Sequence, residues 1–245
     1  MAGFERIFGK PRKENEDTGT HWLTISDLMT GLMMVFLFIA IALMISAFRE
    51  RDRIKEIAIT YQNNQVAIYE ALMSEFREDL PRWDAFVDQD TLSFEFRSPD
   101  VLFAGGAVEI RPRFQKILND FFPRYLETLR KFKSSIDEIR VEGHTSSDWI
   151  GALDDTDAYF RNMELSQGRT RSVLRYSYDL PDVVDDREWV KKYFAAVGFS
   201  SSRIVLCDDG REDRDRSRRV TFRVITNAET QIRKILLDNE EDFKT

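Results

Sequence analysis

The sequence predicts an α+β protein: one N-terminal transmembrane helix, a helical stalk, and then a two-layer α/β sandwich. Three observations lead there. Residues 28–48 form a run of 21 without a charge. Apolar residues then recur at helical spacing as far as Phe76. From about residue 90 to 226, strand-like and helix-like segments alternate. The bulk composition hides the first of these. At 245 residues, 42% hydrophobic and 32% charged, the chain resembles a soluble globular protein of one or two domains. A net charge of −7 argues against a nucleic-acid binder, which needs a basic surface. One cysteine excludes an intramolecular disulfide framework, and two histidines leave little for a zinc site.

Within residues 31–48 only Gly31 and Ser46 are not apolar. An apolar helix of about 20 residues matches a bilayer core of roughly 30 Å. Trp22 suits one interface, and Arg49, Arg51 and Arg53 close the other end. The alternative is a buried core helix, but globular helices are seldom apolar on every face. A cleaved signal peptide does not fit, because a polar segment precedes the run and no small-residue cleavage site follows. The flanking charges do not set an orientation: Arg6, Lys10, Arg12 and Lys13 on one side balance Arg49, Arg51, Arg53 and Lys55 on the other.

Asp27 stands at the start of this segment, in WLTISDLMTG. A carboxylate at the edge of a membrane helix is costly and marks an ion or proton path. Thr30 and Gly31 follow at i+3 and i+4, on the same helix face. Thr30 is placed to hydrogen-bond the carboxylate, and Gly31 leaves room for a neighbouring helix. The alternative is that Asp27 caps the helix N-terminus at the interface. DLMTGLMMVFLF resembles the transmembrane signature of MotB-type stator subunits of bacterial rotary motors, carried here by Asp27, Met29, Thr30 and Met33 or Met34. The resemblance implies that Asp27 carries the coupling ion (H⁺ or Na⁺) with Thr30 beside it. It also implies that the N-terminus is cytoplasmic and that the helix lies inside a ring of partner subunits.

After the membrane run, Ile54, Ile57, Tyr61, Ile68, Leu72 and Phe76 recur at spacings of three, four or seven. This reads either as a stalk paired with a second copy, with Asn64 at the seam, or as one amphipathic helix lying on the next domain. Pro81 ends it. LSFEF (92–96) alternates as a strand does. Gly105-Gly106 reads as a turn, and Pro112 opens a helix to about Arg130. IDEIRVEGH (136–144) reads as a strand and ELSQGRTRSVLRYSY (164–178) as a helix. WVKKYFAAVGF reads as a short helix stopped by Gly198. RIVLC and RRVTFRVIT read as two more strands. TQIRKILLDNEED reads as a closing helix. The segments are then 1–21 cytoplasmic, 22–48 transmembrane, 49–86 stalk, 87–226 sandwich and 227–245 tail.

The sandwich resembles the OmpA-like peptidoglycan-binding domain. The resemblance rests on Val141-Glu142-Gly143-His144-Thr145, on Asn162, Leu165-Ser166, Arg169 and Val173, and on Arg218-Arg219-Val220. It implies a site in which an arginine and an aspartate grip a stem-peptide residue of the cell wall. Arg offers a planar fork to a carboxylate, and Asp takes an ammonium. Arg169 matches the arginine. The aspartate's place after Gly-His-Thr is taken by Ser146, and the nearest substitute is Asp148. Thr145, Ser146, Asp148, Asn162, Leu165 and Arg169 are thus the implied wall-binding set. The segment between Ser146 and Asn162 is longer than the family pattern.

No Ser, Cys or carboxylate arrangement beside His144 makes a catalytic triad, so an enzyme is not expected. His144 reads as a structural hydrogen-bonding residue, and Cys207 as a thiol without function. The run DDGREDRDRSRR (208–219) reads as a solvated loop of mixed charge. The combined resemblance implies a single-pass inner-membrane protein with a periplasmic C-terminal domain. Two copies would form a homodimer inside a ring of a MotA- or ZorA-like multi-span protein, anchored to peptidoglycan, with no cofactor and no direct nucleic-acid contact. Within such motors, a ZorB-type subunit of Zorya antiphage defence fits better than a flagellar stator. The helix runs directly toward the sandwich, the Gly-His-Thr-Asp pattern is altered, and the N-terminal segment is of mixed charge. A passive membrane-to-wall tether is the further alternative.

Overall fold

A computed structural model describes residues 16–97 and 102–227. The chain divides into two compact units, with the boundary between Glu56 and Ile57. Helix α1, Glu16–Phe76, contributes to both.

In the first unit, the stretch Ile25–Glu56 is long and apolar enough to cross a membrane, with a mean hydropathy of 2.7 in its most apolar part. Leu28, Met33 and Phe38 are 74%, 72% and 68% exposed, and the side chains around them are exposed as well. A core helix would be covered by its own chain, and this one is not. Leaving such surface in water costs about 25 cal/mol per Å², so its cover comes from lipid or from other subunits. The TQIRKILLDNEED helix and the segment before Glu16 lie outside the described residues.

The second unit is built on a five-stranded sheet. Its strands are β1 (Ala85–Asp88), β2 (Ser93–Phe96), β3 (Ile136–His144), β4 (Phe194–Gly198) and β5 (Arg219–Thr226). The spatial order is β1-β2-β5-β3-β4, antiparallel throughout except for the parallel β3–β4 pair. The helices are α2 (Leu80–Trp83), α3 (Pro112–Arg130), α4 (Asp155–Tyr178), α5 (Arg187–Tyr193) and the single turn α6 (Arg214–Ser217). Pro112 sets the first turn of α3, where the missing N–H costs nothing. Its buried Phe114, Ile117, Leu118, Phe121, Phe122, Tyr125, Leu126 and Leu129 recur every three or four residues and form one stripe.

That stripe meets alternate residues of the sheet. Phe121 sits at the centre of an aromatic cluster, with ring centroids 4.6 Å from Phe94, 5.0 Å from Phe96 and 5.1 Å from Phe222. Phe76 joins at 5.4 Å, and Ile68 and Leu72 are buried with it. The end of α1 is therefore part of this core. Of the two readings of the residues before Phe76, the amphipathic helix is the one found for residues 68–76. Asn64 donates to the Ser135 hydroxyl at 3.3 Å.

Three local expectations need correction. FAAVG is not the end of a helix: α5 stops at Tyr193 and β4 starts at Phe194, pairing in parallel with Ile139–Gly143. RIVLC is not a ladder strand. The sheet order leaves β5 already paired with β2 and β3, and this segment forms a small loop closed by the isolated bridge Leu206↔Glu212. Helix α4 begins at Asp155, with Asp154 capping it by accepting from the Asp157 N–H at 2.8 Å. The longer segment after Ser146 is thus partly helix.

A candidate ligand cleft at the end of strand β3

The end of β3 is pressed against α4. A Cβ on Gly143 would lie 2.8 Å from both the Ser166 carbonyl oxygen and the Thr170 methyl carbon. Glycine is needed there for close approach. The hydrogen bonds Phe199 N–H to Gly143 O and Thr145 N–H to Ser200 O, each 2.9 Å, carry the pairing beyond the strand ends. The β3–α4 loop leaves from this braced point.

His144 is buried and stacked on Phe199, with ring centroids 5.3 Å apart and planes 9° apart. Its Nε2 lies 3.5 Å from Glu142 Oε2. Burial first, and then the guanidinium groups of Arg219 and Arg203, hold the imidazole below its ordinary range against the pull of Glu142. Its surroundings are those of a structural residue.

An open cleft of 720 Å³ opens beside this point. Thr145, Ser146, Asp148, Asn162, Leu165 and Arg169 all line it. The structure therefore brings together every wall-binding residue implied by the resemblance, from the loop after β3 and from α4. Their atoms are committed unequally. The Asn162 side-chain amide donates to the carbonyls of Ser146 (3.2 Å) and Asp148 (3.1 Å), so it pins the loop. Arg169 donates from Nε to Ala107 O at 2.9 Å and from Nη2 to Ala104 O at 3.2 Å, with its guanidinium 4.8 Å over the Phe103 ring. Arg169 thus holds the Gly105-Gly106 turn against α4. Leu165 is buried in the cleft floor, and Thr145 Oγ1 is buried without a partner.

The cleft has a wall that the sequence reading did not assign. Arg214, Asp215 and Arg218, from the run taken as a solvated loop, line it, as do Trp149 and Ile150 of the long β3–α4 loop. Ser147 ties the two segments by donating from its N–H and hydroxyl to Glu212, at 3.0 and 2.5 Å. Arg214 Nη1 pairs with Asp148 Oδ2 at 2.8 Å. Mixed charge near the last strand was the available signal, but nothing in the spacing said which residues the fold returns to the β3 loop.

In the first unit, Asp27 is exposed and well inside α1, which starts at Glu16. A capping role at the helix N-terminus does not fit. Thr30 does not bond the Asp27 carboxylate; its hydroxyl donates to the Ser26 carbonyl at 2.7 Å. A helical Thr commonly bonds back to the carbonyl one turn earlier. Among the described residues, no group of three or more His, Cys, Asp or Glu side chains gathers as a metal site.

No protein-family model matches the chain. The chain is 53% identical over 232 residues to Zorya protein ZorB of Escherichia coli, covering 95% of this chain and 99% of that protein. Among solved structures, it is similar to the cell wall anchor of the T6SS from Pseudomonas aeruginosa (25% identity, 63% of this chain, 96% of the other, TM-score 0.44). It is also similar to a putative MotB-like protein from Desulfovibrio vulgaris (22%, 67% and 93%, TM-score 0.46). The periplasmic domain of Helicobacter pylori MotB is a third (18%, 60% and 85%, TM-score 0.41).

Proposed function

The chain belongs to the family of Zorya protein ZorB, and from that premise we propose that it is the wall-anchored, membrane-spanning subunit of an ion-driven motor serving antiphage defence. The observation that carries the ion-driven part is Asp27. It is an acidic side chain in the interior of α1, two residues beyond the start of the stretch Ile25–Glu56. A carboxylate is expensive there unless it meets an ion, a proton or a partner group. In this reading two copies of α1 stand inside a ring of a MotA- or ZorA-like multi-span protein. An H⁺ or Na⁺ passing Asp27 neutralises and then restores its charge, and each change alters the attraction between core and ring. The N-terminus is cytoplasmic, and the second unit is periplasmic and holds the core still against peptidoglycan through the cleft. The chain carries no catalytic step of its own, and any attack on phage DNA falls to partners.

Asp27→Asn tests the reading, since it keeps shape and removes charge. Cells carrying the whole defence system with this variant should lose protection in a phage plating assay. The variant chain should still reach the membrane and co-purify with its ring partner. Full protection by Asp27→Asn would favour a passive tether over a motor.

A further inference from the structure

The sheet of the second unit has two unlike faces. Side chains alternate along a strand. Val220, Phe222 and Val224 of β5 enter the core, as do Ile139 and Val141 of β3. Arg219, Thr221 and Arg223 therefore lie on the opposite face, beside Arg140 and Glu142 of β3 and Glu95 of β2. On that face Arg140 stands directly across from Arg223 in the β3–β5 register. Like charges facing each other across two strands repel, so this pair calls for an acidic neighbour.

The carboxylates already on the face do not meet that need. Glu138 takes Arg140 Nη2 at 2.8 Å, and Glu142 is shared between Arg203 at 3.4 Å and His144 at 3.5 Å. Glu95 lies 3.8 Å from both Arg97 and Arg219. Among the described residues, Arg223 makes no hydrogen bond or close ion pair, and it feels Glu142 only through space. Arg140 Nε and the Thr221 hydroxyl, the latter on a residue only 2% exposed, also lack a hydrogen-bond partner. Buried donors left in that state are costly.

We propose that residues 228–245 of the same chain fold back over this face as a third layer, with their acidic end above Arg140 and Arg223. The point of departure is fixed: Asn227 donates from its N–H to Ser135 O at 3.0 Å and from its side chain to Ser134 O at 2.7 Å. Arg223 and Arg219 lie about 13 and 26 Å back along β5 from there, at roughly 3.3 Å per residue. A returning helix, at about 1.5 Å per residue, brings residues 238–242 to roughly 16–22 Å, between those two rows. The spacing suits the surface as well. Ile232, Ile235, Leu236 and Asn239 fall on one side of such a helix, with Glu240 and Asp242 flanking them and Glu241 pointing away. Half-buried Ala195, Val197 and Ile225 on the sheet receive the apolar stripe, and the arginines receive the two flanking carboxylates.

Limited trypsin digestion of the full-length chain in detergent, followed by mass spectrometry, tests this. A docked helix must open before Arg233 or Lys234 is cut, so cleavage there should be about tenfold or more slower than in a synthetic peptide of residues 228–245. Glu240→Gln combined with Asp242→Asn should abolish most of that protection, and so should Arg140→Gln combined with Arg223→Gln. Glu241→Gln should leave it unchanged. The tail variants do not touch the folded sheet, so they remain informative if the arginine variant is unstable. In a Cys207→Ser background, a bismaleimide should join Asn239→Cys to Val197→Cys within one chain. Cleavage of the wild type as fast as the free peptide overturns the proposal, as does equal protection in the charge variants. A cross-link found only between two chains also overturns it, and assigns the face to a second copy.

Discussion

His144 illustrates how a residue that looks chemical in sequence can be a packing residue in the fold. It is the last residue of β3, next to Gly143, where the close approach of α4 leaves no room for a Cβ, and it lies flat on Phe199. Its neutral form is favoured by burial, so the folded chain binds fewer protons at this position than the unfolded chain. The folded pKa is below the unfolded value of about 6.5, so the associated stability is present above that pH and is lost as pH falls toward the folded value. Chemical denaturation of the full chain at pH 7 and pH 5 should show lower stability at pH 5, and His144→Gln should flatten that difference. An unchanged difference in the variant would assign the acid sensitivity elsewhere. Asn162 was legible as a motif residue, but its role was not. Only the fold reveals that its amide donates to two loop carbonyls from within the cleft lining.

The elements legible in sequence were those with a strong period and clear punctuation. Helix α3 has Pro112 at its start and an uninterrupted apolar stripe, and β3 spans the expected residues 136–144. The elements that were not legible lack such marks. β4 follows α5 with no intervening residue, so no glycine or proline separates the periods. β1 is four residues long and ends in Asp88. The charged run before β5 reads as a solvated loop in sequence, but it holds the turn α6, buries Ser217 and supplies one wall of the cleft; its return to the β3–α4 loop depends on long-range pairing that no local pattern encodes. The end of α1 gives a prediction at this scale. Leu72 is fully buried, whereas Ile59 is 49% exposed. Leu72→Ala should cost about 2–5 kcal/mol in chemical denaturation, and Ile59→Ala should stay within about 0.5 kcal/mol. A large cost at Ile59 would instead point to a seam with a second copy.

For the whole molecule, the average composition and the division of labour point in opposite directions. A mean hydropathy of −0.41 describes a soluble protein, yet it averages one unit with an uncovered apolar helix and another with a closed aromatic core. In the proposed reading the first unit supplies the acidic residue of the ion path, Asp27, and the second supplies the cleft of the wall anchor. A motor subunit needs both functions in one chain, because force on the ring is useful only if the core does not turn with it. The most direct measurement is ion flux in vesicles containing the chain assembled with its ring-forming partner. The wild-type complex should dissipate an imposed H⁺ or Na⁺ gradient, and an equally assembled Asp27→Asn complex should not. Equal flux through both complexes would contradict the motor reading.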